Sequence, residues 1–92
     1  MPSNSPATIQ PGYFYLYEFS DDVYVCQALK RLDLYTLTIR CYCKDSKSGV
    51  NVYKKYKYDE EIKVHELLKE LPKPEILAKG RVKFEKDLDM SS

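Results

Sequence analysis

The sequence predicts a small α+β domain: a mainly antiparallel sheet of four to five strands, in the order ββββαβ, with one main helix on one face. Three observations carry this. Aromatic and β-branched residues cluster in short runs separated by polar turns. Leu34–Lys44 alternates strictly, with Tyr35, Leu37, Ile39, Cys41 and Cys43 interleaved by Thr36, Thr38, Arg40, Tyr42 and Lys44. Val64, Leu67, Leu68 and Leu71 then fall at i, i+3, i+4 and i+7, the stripe of an amphipathic helix.

Each element has a local reason. Tyr13–Phe19 reads as a strand, Ser20-Asp21-Asp22 as a polar turn, and Val23–Leu29, continuing toward Leu32, as the returning strand of a hairpin. After the alternating strand, Asp45–Gly49 is a turn and Val50–Tyr58 comes back. Asp59 is a good N-cap, Glu60 and Glu61 suit the positive end of a helix dipole, and Pro72 stops the helix. Pro74 and Gly80 bracket a short helical segment, Glu75–Lys79, before a last strand at Arg81–Glu85 with Val82 and Phe84 on one side.

The 92 residues suffice for one domain, expected over 13–88, between flexible tails at 1–12 and 89–92. The net charge of +1 excludes a generally basic protein, but Arg40, Lys44, Lys47, Lys54, Lys55 and Lys57 face only Asp45 in their segment. No apolar run approaches the ~20 residues of a membrane span. The three cysteines, Cys26, Cys41 and Cys43, are odd in number and sit within apolar runs, and no leader pattern is visible. An intracellular setting, cytoplasmic or nuclear, is the expectation.

The parity of the second hairpin divides its side chains. Pairing Cys43 with Val50 and Cys41 with Val52 joins apolar to apolar, and brings Arg40 opposite Tyr53, Thr38 opposite Lys55 and Thr36 opposite Lys57. Arg40, Tyr42, Lys44, Tyr53, Lys55 and Lys57 then share an open face, while Tyr35, Tyr56 and Tyr58 point to the core. Lys54 breaks the alternation, by snorkelling at an edge or through a bulge.

An aromatic and basic sheet face suits an acidic protein segment, or a single nucleic-acid strand stacked on the rings. The expected function is a non-catalytic protein-interaction module, an adaptor or complex subunit. Its partner would be an acidic protein, or a second copy paired through the Tyr13–Phe19 edge. A single-stranded nucleic-acid binder using the same face is the alternative. No enzyme, cofactor or metal site is expected. The sequence lacks a phosphate loop, a dinucleotide fingerprint and any catalytic or zinc motif. Cys41-Tyr42-Cys43 with Cys26 and His65 lacks zinc-ligand spacing, so the cysteines read as small buried apolar residues.

By element order alone, Leu37–Leu71, hairpin then helix, resembles the opening half of a ubiquitin-like β-grasp domain. Some of these bind small GTPases through basic residues of the second strand, which here would be Lys54, Lys55 and Lys57. Four strands and a helix is also similar to the ββββα plan of certain single-strand-binding domains.

Overall fold

The computed structural model describes residues 9–86 and 88. Seven strands form one antiparallel sheet: β1 (Phe14–Phe19), β2 (Asp22–Arg31), β3 (Thr36–Lys44), β4 (Val52–Lys63), β5 (Leu67–Glu70), β6 (Glu75–Ile76) and β7 (Arg81–Lys83). Their order across the sheet is β5-β1-β2-β3-β4-β7-β6. Val64–Glu66 forms a 3-10 turn between β4 and β5, and the described residues contain no α-helix. No helix among them is long and apolar enough to cross a membrane.

The predicted helix from Asp59 is therefore replaced by strand, 3-10 turn and strand, and the fold is nearly all β rather than α+β. Long-range pairing overrides the local pattern. Ile62 and Lys63 lie opposite Leu37 and Thr36 on β3, and Leu67 and Glu70 lie opposite Tyr17 and Tyr15 on β1. The lone Glu66 carboxylate accepts the Lys63 N–H at 2.8 Å and fixes the turn between the two strands. The second predicted helical segment, Glu75–Lys79, is likewise absent. Its residues form β6 and a turn through Lys79 (φ 62°) and Gly80 (φ 73°). With the helix gone, the likeness to a β-grasp half and to a ββββα plan goes too.

The short link from β4 to β5 shapes the sheet. Four Cα steps from Lys63 to Leu67 span at most about 14 Å. In a flat sheet those strands, with β1, β2 and β3 between them, would stand about 19 Å apart. The sheet must curl, and bulges in the β1–β5, β2–β3 and β3–β4 ladders accommodate the bend. Inside the curl lies a buried cluster of Tyr15, Tyr17, Cys26, Ala28, Leu37, Ile39, Cys41, Ile62, Val64 and Leu67, joined by Ile9.

The other face is covered as well. Phe14, Leu16, Val25, Tyr42 and Tyr53 form a second cluster with Leu71, Val82 and Phe84 from the C-terminal segment. The Phe84 ring stands edge-on to Phe14 at 6.0 Å and to Tyr53 at 5.8 Å. Val82 and Phe84 thus do share one side, as the last predicted strand required. With both faces buried, β1 carries four consecutive buried residues, Phe14 to Tyr17. Each such side chain contributes roughly 1.5–3 kcal/mol. The expectation of one open sheet face is not met, and β1, flanked by β2 and β5, is not an edge.

Of the predicted tails, residues 1–8 and 89–92 lie outside the described residues. Ile9 is buried, and the Gly12 N–H donates to the Ala28 carbonyl at 2.7 Å. The first hairpin turns as expected, with Ser20 (φ 52°) and Asp21 (φ 67°) both left-handed, the two-residue geometry that favours Asn-Gly. Replacing Ser20-Asp21 with Asn-Gly should relieve this strain by about 0.5–1 kcal/mol and raise the melting temperature by about 2–8 °C, read by thermal denaturation.

Candidate interaction surface

The β3–β4 hairpin holds the predicted site residues in a register different from the expected one. Lys44 lies opposite Tyr53, and Tyr42 opposite Lys55. Relative to the predicted register this is a slip of four residues, an even number, so Arg40, Tyr42, Lys44, Tyr53 and Lys55 still share one face. The turn is responsible: Asp45 N–H donates to the Val52 carbonyl at 2.8 Å, and Gly49 (φ 137°) and Asn51 (φ 62°) take positive φ, so the loop ends two residues later than Val50. The Asp45 carboxylate accepts from Ser48 Oγ at 2.7 Å and from Arg81 Nε at 3.0 Å, tying the turn to β7. Those two contacts hold its carboxyl below the usual range.

That shared face is not an open platform. Tyr42 and Tyr53 are each 5% exposed and belong to the second cluster. Tyr42 stacks obliquely on Phe14 at 5.5 Å, and its hydroxyl donates to Gln27 Oε1 at 3.4 Å. Burial raises its hydroxyl pKa. Arg40 is half-buried and faces Asp59 at 3.7 Å. Lys44, Lys55 and Lys57 are exposed. The six residues thus separate into two buried rings, one half-buried guanidinium and three exposed ammonium groups.

The exposed rings lie elsewhere. Arg40 pairs with Asp59 and Tyr42 with Lys55, so Tyr56, Lys57 and Tyr58 together oppose Cys41. Two extra residues make a special bulge there, larger than the usual two-against-one, and preserve the parity of β4. Lys54, whose side chain broke the alternation, sits opposite Cys43 and is exposed. Tyr56 and Tyr58 remain on the Cys41 side of the sheet, as predicted, but beyond the rim of the first cluster, at 54% and 68% exposure. Their rings meet edge to face at 6.3 Å.

Beside the bulge, β4 also lacks a neighbour. β7 pairs only with Val52–Lys54, and its last backbone contact is Lys55 N–H to the Gly80 carbonyl at 2.8 Å. Among the described residues, no strand flanks the outer side of β4 from Tyr56 to Lys63. Residues 54–61 are exposed without interruption. Their charge changes sign midway, from Lys54, Lys55 and Lys57 to Asp59, Glu60 and Glu61. A run of eight strand residues without a buried position was the available signal for this surface, hidden by assigning its second half to a helix.

A second exposed apolar feature joins β2 to β3. Leu34 and Tyr35 project, with Tyr35 at 72% exposure rather than in the core. The loop is tied by its own hydrogen bonds: Asp33 Oδ1 accepts from Tyr35 N–H at 2.8 Å, and the Arg31 guanidinium donates to the carbonyls of Asp33 (2.5 Å) and Leu34 (2.7 Å). The Tyr35 N–H bond is the main reason the Asp33 carboxyl lies below its ordinary range.

The cysteines do not act alike. Cys26 and Cys41 are buried in the first cluster, whereas Cys43, expected beside them, is exposed near the end of β3. The Tyr17 hydroxyl and Cys41 Sγ lie 3.2 Å apart, and Cys41 Sγ is 3.5 Å from Glu60 Oε2. Burial is the first cause that pushes the Cys41 thiol up to about 11, the direction opposite to that of an activated nucleophile. Among the described residues no group of three or more His, Cys, Asp or Glu is placed to hold a metal ion, and His65 stands exposed on the 3-10 turn.

In the native protein a thiol reagent should modify Cys43 rapidly and leave Cys26 and Cys41 protected until denaturant is added; mass spectrometry of the labelled protein reads this. The Asp45 carboxylate stabilises the fold above its unfolded pKa of about 3.9, and that contribution is lost as pH falls through the lowered folded value. Asp45→Asn should therefore melt below the wild type near neutrality, with the gap closing as the pH is taken below about 4 in a melting series. Comparison of the chain with protein-family models, curated proteins and solved structures finds no match, so the exposed reach of β4 is defined by its own geometry.

Proposed function

We propose that this chain is a non-catalytic protein-interaction module, an adaptor or complex subunit, that engages its partner along the exposed reach of β4. The observation that supports this reading is the coincidence, within the exposed residues 54–61, of a strand edge without a neighbour among the described residues from Tyr56 onward with two exposed tyrosines. An extended segment added to such an edge gains main-chain hydrogen bonds, and alternate side chains supply specificity. Tyrosine is among the residues that anchor interfaces. Lys55 and Lys57, with Lys44 on the neighbouring strand and Arg40 beside Asp59, provide the basic component. Tyr42 and Tyr53 act beneath it as the packed support of the hairpin. Three cysteines without a disulfide support a reducing, intracellular setting.

The sign of the charge favours protein over nucleic acid. Lys54, Lys55 and Lys57 would attract a phosphate backbone, but Asp59, Glu60 and Glu61 continue along the same strand and would repel it. A polypeptide edge carrying both signs matches this surface better.

Tyr56→Ala/Tyr58→Ala removes both rings where no core contact is lost, so stability should change by no more than about 0.5 kcal/mol. Quantitative affinity capture from the native source should retain specific proteins on the wild type and lose them on this variant. Equal capture by both proteins would rule out β4 as the contact surface. Labelled single-stranded RNA and DNA should not bind at low salt; binding that weakens steeply with added salt would replace the protein reading with a nucleic-acid one.

A further inference from the structure

The open reach of β4 is self-complementary, and we propose that the partner it fits is a second copy of this chain, added antiparallel, edge to edge, about Tyr58. This deepens the reading of β4 as the contact edge and rests on it. In an antiparallel pair centred on Tyr58, Lys57 of each copy lies opposite Asp59 of the other. Tyr56 lies opposite Glu60, and Lys55, whose outer side is taken by Gly80, stays outside the ladder. Residues directly opposite share a face, so Lys57 and Asp59 collect on one side of the joined sheet, and the rings, with Glu60 beside them, on the other.

The side-chain placement within one copy already has this arrangement. Lys55 shares its face with Tyr42, and Asp59 with Arg40, so parity puts Lys57 on that face too. Tyr56 and Tyr58 lie together on the opposite face, with their rings in contact. Across the two-fold axis Tyr58 would meet its own copy, and each Tyr56 would reach the other Tyr58 on the diagonal, which is within range for aromatic side chains. Among the described residues Lys55, Lys57 and Glu61 make no ion pair within the chain, and Asp59 has only the 3.7 Å contact to Arg40.

The same residues oppose other registers. A slip that pairs Lys57 with Lys57, or Asp59 with Asp59, puts like charges face to face at the axis, and parallel pairing matches like with like throughout. Lysine on an open edge ordinarily repels a second strand. Centred on Tyr58, Lys57 of each copy meets the Asp59 carboxylate of the other instead. The edge is free from Tyr56 onward, because the last β7 contact is at Lys55. A ladder over residues 56–60 of each copy therefore fits without displacing β7.

Sedimentation velocity of the full chain over a wide concentration range tests this. The wild type should show a reversible monomer–dimer equilibrium. Lys57→Glu should weaken the dimer by about tenfold or more, and Asp59→Lys should do the same. The double variant Lys57→Glu/Asp59→Lys should restore the dimer, and an equimolar mixture of the two single variants should associate where neither does alone. A wild type that stays monomeric at the highest concentration overturns the proposal, as does a dimer whose affinity neither single variant changes. Lys57 has no ion partner to lose within the chain, so its variant remains decisive if Asp59→Lys unfolds. Failure here would leave the loss of captured foreign proteins by Tyr56→Ala/Tyr58→Ala as a separate result, so the two readings are told apart.

Discussion

The three residues Val64-His65-Glu66 join strands that a flat sheet would hold about 19 Å apart, and the chain cannot span that distance. Closing it bends the sheet around one cluster and makes β1, with β5 on one side and β2 on the other, a central strand. The bend also gives the sheet a convex outer face lined by Phe14, Leu16, Val25, Tyr42 and Tyr53. That face would be costly to leave in water, and the segment after β5 returns across it with Leu71, Val82 and Phe84. The 3-10 turn thus determines both the inner core and the need for the outer one.

The same turn explains where the sequence misleads. Val64 and Leu67 belong to the inner cluster, Leu68 and Leu71 to the outer. A 3-10 turn carrying Val64, followed by β5 whose successive residues Leu67 and Leu68 face opposite clusters and by Leu71 just beyond it, reproduces the i, i+3, i+4, i+7 spacing of a helix. Nothing local distinguishes the two cases; the deciding partners, Leu37 and Tyr17, lie far away in the sequence. Where the pattern is long and one-sided, reading it locally succeeds. The strand is found over Thr36–Lys44 with Leu37, Ile39 and Cys41 buried, and of the predicted Ser20-Asp21-Asp22 turn Ser20 and Asp21 make the reversal, although Tyr35 and Cys43 are exposed and Thr36 and Tyr42 buried.

The candidate site was legible in parity and illegible in coverage. An even slip in register leaves every side chain on its face, so Tyr42, Tyr53, Lys44 and Lys55 share one face in the observed pairing as in the expected one. Whether that face meets water depends on the path of residues 71–84, which the hairpin's own sequence does not encode. Tyr35, Tyr56 and Tyr58 show the converse. Their alternation matches buried positions, but Tyr35 lies at a loop and the other two in a bulge, both beyond the reach of the inner cluster.

The exposed edge of β4 has its origin in a turn remote from it in sequence. β7 runs antiparallel to β4, so only residues preceding Arg81 could extend the pairing toward Tyr56. At that point the chain reverses through Lys79 and Gly80, both with positive φ, to form β6. Gly80 lies so close to Lys55 that an added Cβ would stand 2.8 Å from the lysine Cγ, and the turn is seated firmly against the strand. β4 has twelve residues and β7 only three, so among the described residues most of its outer side is left without a neighbour. A globular β protein often guards such an edge with charged side chains, lysine above all. This one carries both signs in sequence, Lys55 and Lys57 before Asp59 and Glu61, and that order turns a guard against strand addition into a rule for which strand may be added.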